Sequence, residues 1–392
     1  MILSVDLGST SFKSGIFDIA FRQLGEGAHA LAYQSNRYSD VTLLAAEVEN
    51  GFCNCIAAAI KSAGIDAGQI TAVTITGQAQ TFCLTNRLQR SLTPFISWQD
   101  TTSHSSIDNP SVFPLRPEFE EHCAFPDPSP GLQIASFLHL RKSGLLPEDP
   151  FYLMPLHSYL IFLLSGQFVT DDNMAAMTGF YSLPRHDWWT AALSICGLMA
   201  EQLPQLVQTG YEAAKTDAGN LFSLPPGLPI YPAGNDQTAG AFGASIAATD
   251  IYLSLGTAYV AYGIFPDLPK VKPETARGIY YGQRYYRLAI AKHGGDALRQ
   301  LTEQFTAGDF DRLFQSQVPD GERQKALNEI IADLAETVNR LGISQPRRLL
   351  VSGGGNRFSA LLRGLEQATG LQVTKSESGP LRGAAMAALK II

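Results

Sequence analysis

Two aspartates stand where a carboxylate is costly. Asp6 closes the apolar run that begins at Ile2, and Asp236 follows the apolar run Pro229–Ala233. A carboxylate at the end of a buried strand has to pair or bind a metal. Phosphoryl transfer uses two such groups, one to place Mg²⁺ and one to accept the proton of an attacking hydroxyl. Asp236 also precedes a small-residue helical stretch, so a plain N-cap is its alternative role. Two turns of small residues share a core, Asp6-Leu7-Gly8-Ser9-Thr10 and Ser254-Leu255-Gly256-Thr257. Successive amides of such turns, here Gly8, Ser9, Thr10 and Ser11 in one and Gly256 and Thr257 in the other, can cradle phosphate oxygens. Either turn alone also fits an ordinary Gly/Ser turn. Lys13 is placed either to reach a phosphate or to lie on a solvated strand face. Gly353-Gly354-Gly355-Asn356 gives a flat ligand such as adenine close access to the backbone, or is only a tight turn. The sequence has no Cys/His metal spacing, no Walker P-loop and no Gly-x-Ser-x-Gly elbow.

The elements that must hold these residues follow from periodicity. Strands are expected at Ile2–Val5 and Phe12–Phe17, forming a hairpin about the first turn. Helical spacing runs from Leu43 to Ala63, with Gly64 as C-cap. Strands at Ile70–Thr76 and Thr81–Leu84 flank Gly77-Gln78-Ala79-Gln80, and residues 105–131 read as loop. Helices are expected at Leu132–Lys142, Pro155–Leu164, Trp189–Met199 and Thr238–Ala247. Ile251–Leu255 and Tyr259–Ile264 then repeat the opening strand–turn–strand layout, which suggests two related domains. A hairpin at Gly278–Ile290, helices near Asp296–Phe305 and Glu322–Leu341, strand Arg348–Val351 and helices Ser359–Thr369 and Arg382–Leu389 complete the chain. Strands alternating with helices indicate an α/β protein.

The 392 residues, 45% hydrophobic and 17% charged, have a globular composition with room for two or three domains. A net charge of −7 argues against nucleic acid or an acidic membrane as partner. Residues 1–247 carry 11 Lys/Arg against 22 Asp/Glu, whereas residues 248–392 carry 18 against 14, which is compatible with an anionic ligand between the halves. No apolar run reaches the roughly 18 residues of a membrane span, and Asp6 and Gly8 interrupt any signal peptide. The five cysteines read as buried thiols, and His104, His122, His139, His157 and His186 as surface or packing residues. The expectation is a soluble, cytoplasmic protein.

In order, these segments resemble the FGGY family of carbohydrate kinases. The opening Ile2–Lys13 is similar to the family's first phosphate motif, and Ile75-Thr-Gly-Gln-Ala-Gln80 to the sugar-contacting turn of its xylulokinase-like members. Ser97-Trp98-Gln99-Asp100 resembles their Trp-Asn/Gln-Asp segment, and Gly234–Gly243 the segment of the catalytic aspartate. Leu253–Thr257 resembles the second phosphate motif, Val351–Asn356 the adenosine motif and Gly379–Leu389 the closing helix.

The resemblance implies an α/β fold of two duplicated actin/hexokinase-like (ribonuclease H-like) domains about a central cleft. Residues 1–247 would bind the sugar and residues 248–392, shortened between Ile264 and Arg347, the nucleotide. It implies Asp236 as general base, with Asp6 and Asp236 on the Mg²⁺ side of ATP. Gly8, Ser9, Thr10, Ser11, Lys13, Gly256 and Thr257 would line the phosphates, and Gly353, Gly354, Gly355 and Asn356 the adenosine. Gln78, Gln80, Trp98, Asp100, Asn235 and Gln237 would face the sugar. The activity implied is transfer of a phosphoryl group from ATP to a ketose, such as a ketopentose, or to a polyol. A second reading is a family member that binds nucleotide or sugar as a sensor. An actin-like ATPase coupled to another activator is a third. A homodimer is the one macromolecular partner left open.

Overall fold

The computed structural model describes residues 1–108, 113–222, 224–306 and 321–390, which divide into two compact units. Unit 1 comprises Met1–Ala239, Gly278–Gly282 and the closing segment from Pro380, and unit 2 comprises Gly240–Arg277 and Gln283–Gly379.

Unit 1 is built on a sheet containing β1 (Ile2–Leu7), β2 (Ser11–Phe17), β3 (Gln23–Ala30), β4 (Ala72–Gly77), β5 (Ala214–Lys215) and β6 (Pro229–Asn235), in the order β3-β2-β1-β4-β6-β5. The expected β1–β2 hairpin forms, with Asp6 opposite Lys13. β1, β4 and β6 are mutually parallel, so Leu7, Gly77 and Asn235 end side by side at one edge. Ligands of open α/β sheets sit at such carboxyl ends. Helix α1 (Ala45–Ala63) packs on β2 and β3 through Val48, Phe52, Cys55, Ile56 and Ala59, which share one helical face. Gly64 ends it at φ 65°, donating to the carbonyls of Ile60 and Lys61.

Strand β3 has no apolar alternation, and its glycines explain why. A Cβ at Gly25 would lie 2.3 Å from the Ala63 amide nitrogen, and one at Gly27 only 2.0 Å from the Cys55 carbonyl oxygen. The strand is recognised by α1 through missing side chains. Gly27→Ala should therefore destabilise the protein by about 3 kcal/mol, the upper end of ordinary overpacking. A urea midpoint equal to that of the unsubstituted protein would contradict this contact.

A second sheet in unit 1 joins Gln34–Asn36, Ser39–Leu43, Phe95–Ile96, Phe82–Thr85 and Tyr152–Pro155, in that spatial order. Helix α2 (Gln133–Lys142) contributes to the separate apolar core on this sheet. Residues 105–131 depart from the loop expectation. Helices form at His104–Ile107 and Arg116–His122, the latter started by Pro117 and anchored by fully buried Phe119, edge-on to Phe113 at 5.6 Å. The Pro and Asp content that suggested a loop sits at the helix starts and connections; residues 109–112 of the segment lie outside the described ones. Helix α3 (Asp172–Ala176) follows, and α4 (Asp236–Gly243) begins two residues earlier than the spacing suggested and ends at Gly243 rather than Ala247.

Unit 2 repeats the plan. Its strands β7 (Asp250–Leu255), β8 (Tyr259–Phe265), β9 (Thr275–Tyr280), β10 (Arg284–Ile290), β11 (Arg348–Ser352) and β12 (Gln372–Lys375) run in the order β9-β10-β8-β7-β11-β12. β10-β8-β7-β11-β12 matches β3-β2-β1-β4-β6 in order and in the sense of every pairing. The repeat seen in two turns thus extends to five strands of each sheet. Helices α5 (Gly295–Thr306), α6 (Gly321–Arg340) and α7 (Ser359–Thr369) follow. The last helix, α8 (Pro380–Lys390), returns to unit 1, where its small residues Ala385 and Ala388 pack against Ile2, Phe17 and Ala72. No helix of the described residues is long and apolar enough to cross a membrane.

Candidate active site

The carboxyl ends of β1, β4 and β6 bring together most of the residues singled out in the N-terminal part of the sequence. Gly77 makes this junction tight. At φ 150°, a Cβ there would fall 2.5 Å from the Leu7 Cβ. The Gln78 amide donates to the Leu7 carbonyl at 2.9 Å, and its Nε2 donates to the Gly8 carbonyl at 3.1 Å. The Tyr33 hydroxyl donates to the Ser9 carbonyl, and the Leu31 amide to that of Thr10. All three turn carbonyls are thereby taken by the protein, while the Ser9 and Thr10 amides donate to no described residue. A turn with its acceptors turned inward and its donors free is an anion cradle.

Asp6 is 9% exposed, and its Oδ1 has no hydrogen-bonding partner. Burial first, and the neighbouring Asp236 second, push its pKa up to about 7 against the opposing pull of Lys13. Burial likewise raises Asp236 to about 6, held from rising further by two hydrogen bonds from Gln237. These come from the Gln237 amide to Oδ1 at 2.8 Å and from Nε2 to Oδ2 at 3.3 Å. The Gln237 Oε1 is itself buried and unpartnered. The N-cap role that Asp236 could have filled belongs to Asn235, whose Oδ1 accepts the Thr238 amide at 2.9 Å.

A bulge aims Asp236. Between Pro232 and Asn235, β6 spends one residue more than β4, and Gly234 takes φ 68°. Asn173, fully buried on α3, clamps the bulge from outside. Its Oδ1 accepts the amide and the Nδ2 of Asn235, both at 2.9 Å, while its Nδ2 donates to Thr238 Oγ1 and to the Ile279 carbonyl. A Cβ on residue 234 would lie 2.8 Å from the Asn173 Oδ1, so the glycine is required twice over. Asn173 was not among the residues singled out from the sequence, because its contacts are with strands 62 and 106 positions away.

The remaining expected sugar residues divide into two sets. Gln78 and Asp100 are structural in their contacts. Gln78 Oε1 accepts the Thr81 hydroxyl at 2.8 Å, and Asp100 accepts the amides of Asp40 and Thr102 and the Thr102 hydroxyl. Gln80 and Trp98 are available. Gln80 occupies a left-handed φ of 68°, rare for a residue with a side chain, and Trp98 is 40% exposed with its amide held by Thr81 Oγ1.

In unit 2, Gly353 and Gly355 press against the end of β7. Their Cβ positions would fall 2.6 Å from the Leu255 carbonyl oxygen and 2.8 Å from the Leu255 Cβ, while Gly354 faces open space. This brings Gly353–Asn356 beside Gly256 and Thr257. Gly294 and Gly295 close the same turn from the other side, 2.6 and 2.5 Å by the same measure from the carbonyl oxygens of Thr257 and Gly256.

The donor set fits a divalent cation in one respect. Asp6 Oδ1 is a buried orphan acceptor in the electrostatic reach of a second carboxylate. The described residues offer no group of three or more acidic, His or Cys ligands. Mg²⁺ keeps several waters and uses one or two carboxylates beside substrate phosphates.

Known proteins resemble the chain in the same parts. The profile of the FGGY family of carbohydrate kinases, N-terminal domain, matches residues 1–114 and 148–243. The chain is 29% identical over 251 residues to the glycerol kinase of Brucella ovis, covering 62% of this chain and 49% of that one. It spans about half the length of the curated relatives it matches. The ligand-bound xylulose kinase of Lactobacillus acidophilus superposes over 100% of this chain and 89% of its own, with a TM-score of 0.87 at 18% identity. The gluconate kinase of the same organism does so with the same coverages, at 0.88 and 17%. Such low identities speak to the fold, the duplicated actin/hexokinase-like one. The matched segments contain Asp6, the β1–β2 turn, the Gln78–Gln80 turn, the bulge and Asp236, and the chain belongs to the FGGY family of carbohydrate kinases.

Proposed function

We propose that the protein transfers a phosphoryl group from ATP to a hydroxyl of a small neutral sugar or polyol, a ketopentose being the favoured class. The observation that carries this reading is the pair Asp6 and Asp236. These are two carboxylates raised by burial at the ends of parallel strands, beside a turn with free amides. With a pKa of about 6, Asp236 is ionised at neutral pH yet basic enough to take a proton. Gln237 fixes its orientation, and Asn235 and Asn173 fix the backbone beneath it. The amides of Ser9 and Thr10 receive phosphate oxygens, and Lys13, opposite Asp6 in the hairpin, adds a positive charge nearby. Asp6, whose Oδ1 is unpartnered, would help hold Mg²⁺, and when bound the ion would neutralise phosphate charge. Gln80, Trp98 and Gln237 present polar atoms to the acceptor, while Gln78 and Asp100 keep its turn in shape. In unit 2, Gly256, Thr257 and Gly353–Asn356 form a backbone-lined bed for the nucleotide.

The test is ADP release with Mg–ATP over a panel of ketoses, aldoses and polyols. ADP formation should depend on one class of neutral sugar. A basal ATPase that no sugar stimulates would overturn the kinase reading.

A further inference from the structure

Gln133, the first residue of α2, is 1% exposed, and neither end of its carboxamide meets a described protein group; its Oε1 is fully enclosed without a partner. A buried amide left unsatisfied costs stability, so its retention asks for a reason. The backbone around it is pinned on both sides. Two residues earlier, Gly131 at φ 84° lies so close to the Trp98 carbonyl that a Cβ would approach its oxygen to 2.1 Å. One residue later, the Ile134 amide donates to the Thr178 carbonyl at 3.2 Å. Next to Thr178, the Met177 sulfur accepts the Nδ2 of Asn235 at 3.1 Å. The residues flanking Gln133 are thus tied to the Trp98 carbonyl on one side and, through Thr178 and its neighbour Met177, to Asn235 on the other.

We propose that Gln133 recognises a hydroxyl of the acceptor substrate remote from the one phosphorylated. The proposal rests on reading the β1, β4 and β6 ends as the acceptor site. A carboxamide offers one acceptor and a donor but no charge. A hydroxyl, itself donor and acceptor, satisfies both, whereas a carboxylate or phosphate on the substrate would leave Oε1 unpaired. The substrate class is thus a neutral polyhydroxylated molecule with a hydroxyl beyond the reacting end, longer than a three-carbon polyol. In the free protein the unsatisfied amide is the cost of a site built for a ligand.

Gln133→Leu keeps the volume and removes both polar functions, and Gln133→Met is the second variant should the branched side chain not be accommodated. Sugar binding is measured by calorimetry without ATP, turnover with it, and melting temperature without either ligand. Both variants should lose about ten- to a hundredfold in sugar affinity and in kcat/KM through KM. The KM for ATP should not change, and the ligand-free melting temperature should be equal or higher. A deoxy analogue lacking the recognised hydroxyl should bind the unsubstituted protein and the variants alike. Three results overturn the proposal: sugar affinity within twofold for every sugar, a lowered melting temperature with equal losses on sugar and deoxy analogues, or no sugar binding by the unsubstituted protein. The kinase reading fails separately. Sugar binding that depends on Gln133 without any ADP release defeats transfer and leaves Gln133 in its role; sugar-stimulated ADP release indifferent to Gln133 does the reverse.

Discussion

Asp236→Asn should lower turnover by about 10²–10⁴-fold, the contribution of a positioned general base, while the KM values for sugar and nucleotide change only a few-fold. The substitution suits the site unusually well. Asp236 accepts from the Gln237 amide through Oδ1, which an asparagine oxygen can still do. Its Oδ2 faces Gln237 Nε2, and an asparagine NH₂ there would meet another donor. Gln237 has a remedy, because its Oε1 is unpartnered and a flip of the carboxamide turns that acceptor toward residue 236. Fold and binding should therefore survive, and the loss should appear in the chemical step. For the unsubstituted protein, kcat/KM should rise with pH through the region of about 6 to about 7, where Asp236 and Asp6 release their protons. The two carboxylates interact, so the acidic limb belongs to the pair rather than to either one. Turnover of Asp236→Asn within tenfold of the original would remove this residue from proton transfer.

The parts of the site carried by local sequence were legible. Asp6, the Gly8–Thr10 turn and Asp236 each close an apolar run, and their types announce the chemistry before any fold is known. The resemblance of the two turns likewise anticipated two sheets that share the order of five strands. Contacts made at long range were not legible. Strand β3 is written in glycines because α1 needs room at Gly25 and Gly27, a requirement invisible along the chain. The start of α4 was misplaced because Asn235, rather than a residue nearer Thr238, supplies the cap, and only the bulge at Gly234 makes that geometry available. Gln78 and Asp100 show the same limit from the other side. Their residue types suit sugar recognition, and only the structure adds that Gln78 Oε1 accepts the Thr81 hydroxyl and that Asp100 accepts from Asp40 and Thr102. Asn173 carries no sequence signal, being an ordinary amide whose meaning lies in what surrounds it.

Asp6→Asn should separate stability from function at the other carboxylate. The Asp6 pKa stands at about 7 in the folded protein against 3.8 for a free aspartate, chiefly because burial disfavours the charged form. Below about pH 4 the group is protonated whether the chain is folded or not. Between about 4 and 7 the folded state keeps a proton that the unfolded chain releases, so stability falls as pH rises through that window. Above about 7 the folded protein holds a charge in a poorly solvated place. An asparagine has no such charge. The variant should match the original in stability near pH 4 and exceed it at pH 8 by on the order of 2–4 kcal/mol, read from denaturant unfolding at the two pH values. Superimposable pH–stability curves would show that the Asp6 carboxyl titrates normally and that its site carries no strain. The function should move the opposite way. On the proposed reading magnesium would bind the ionised carboxylate, so Mg–ATP should stabilise the original at pH 8 more than it stabilises the variant, and the magnesium concentration for half-maximal turnover should rise in the variant. A protein that becomes more stable and less able to use magnesium through one substitution has been holding Asp6 ready for a cation, since burial without that purpose is relieved by the neutral amide at no loss of activity.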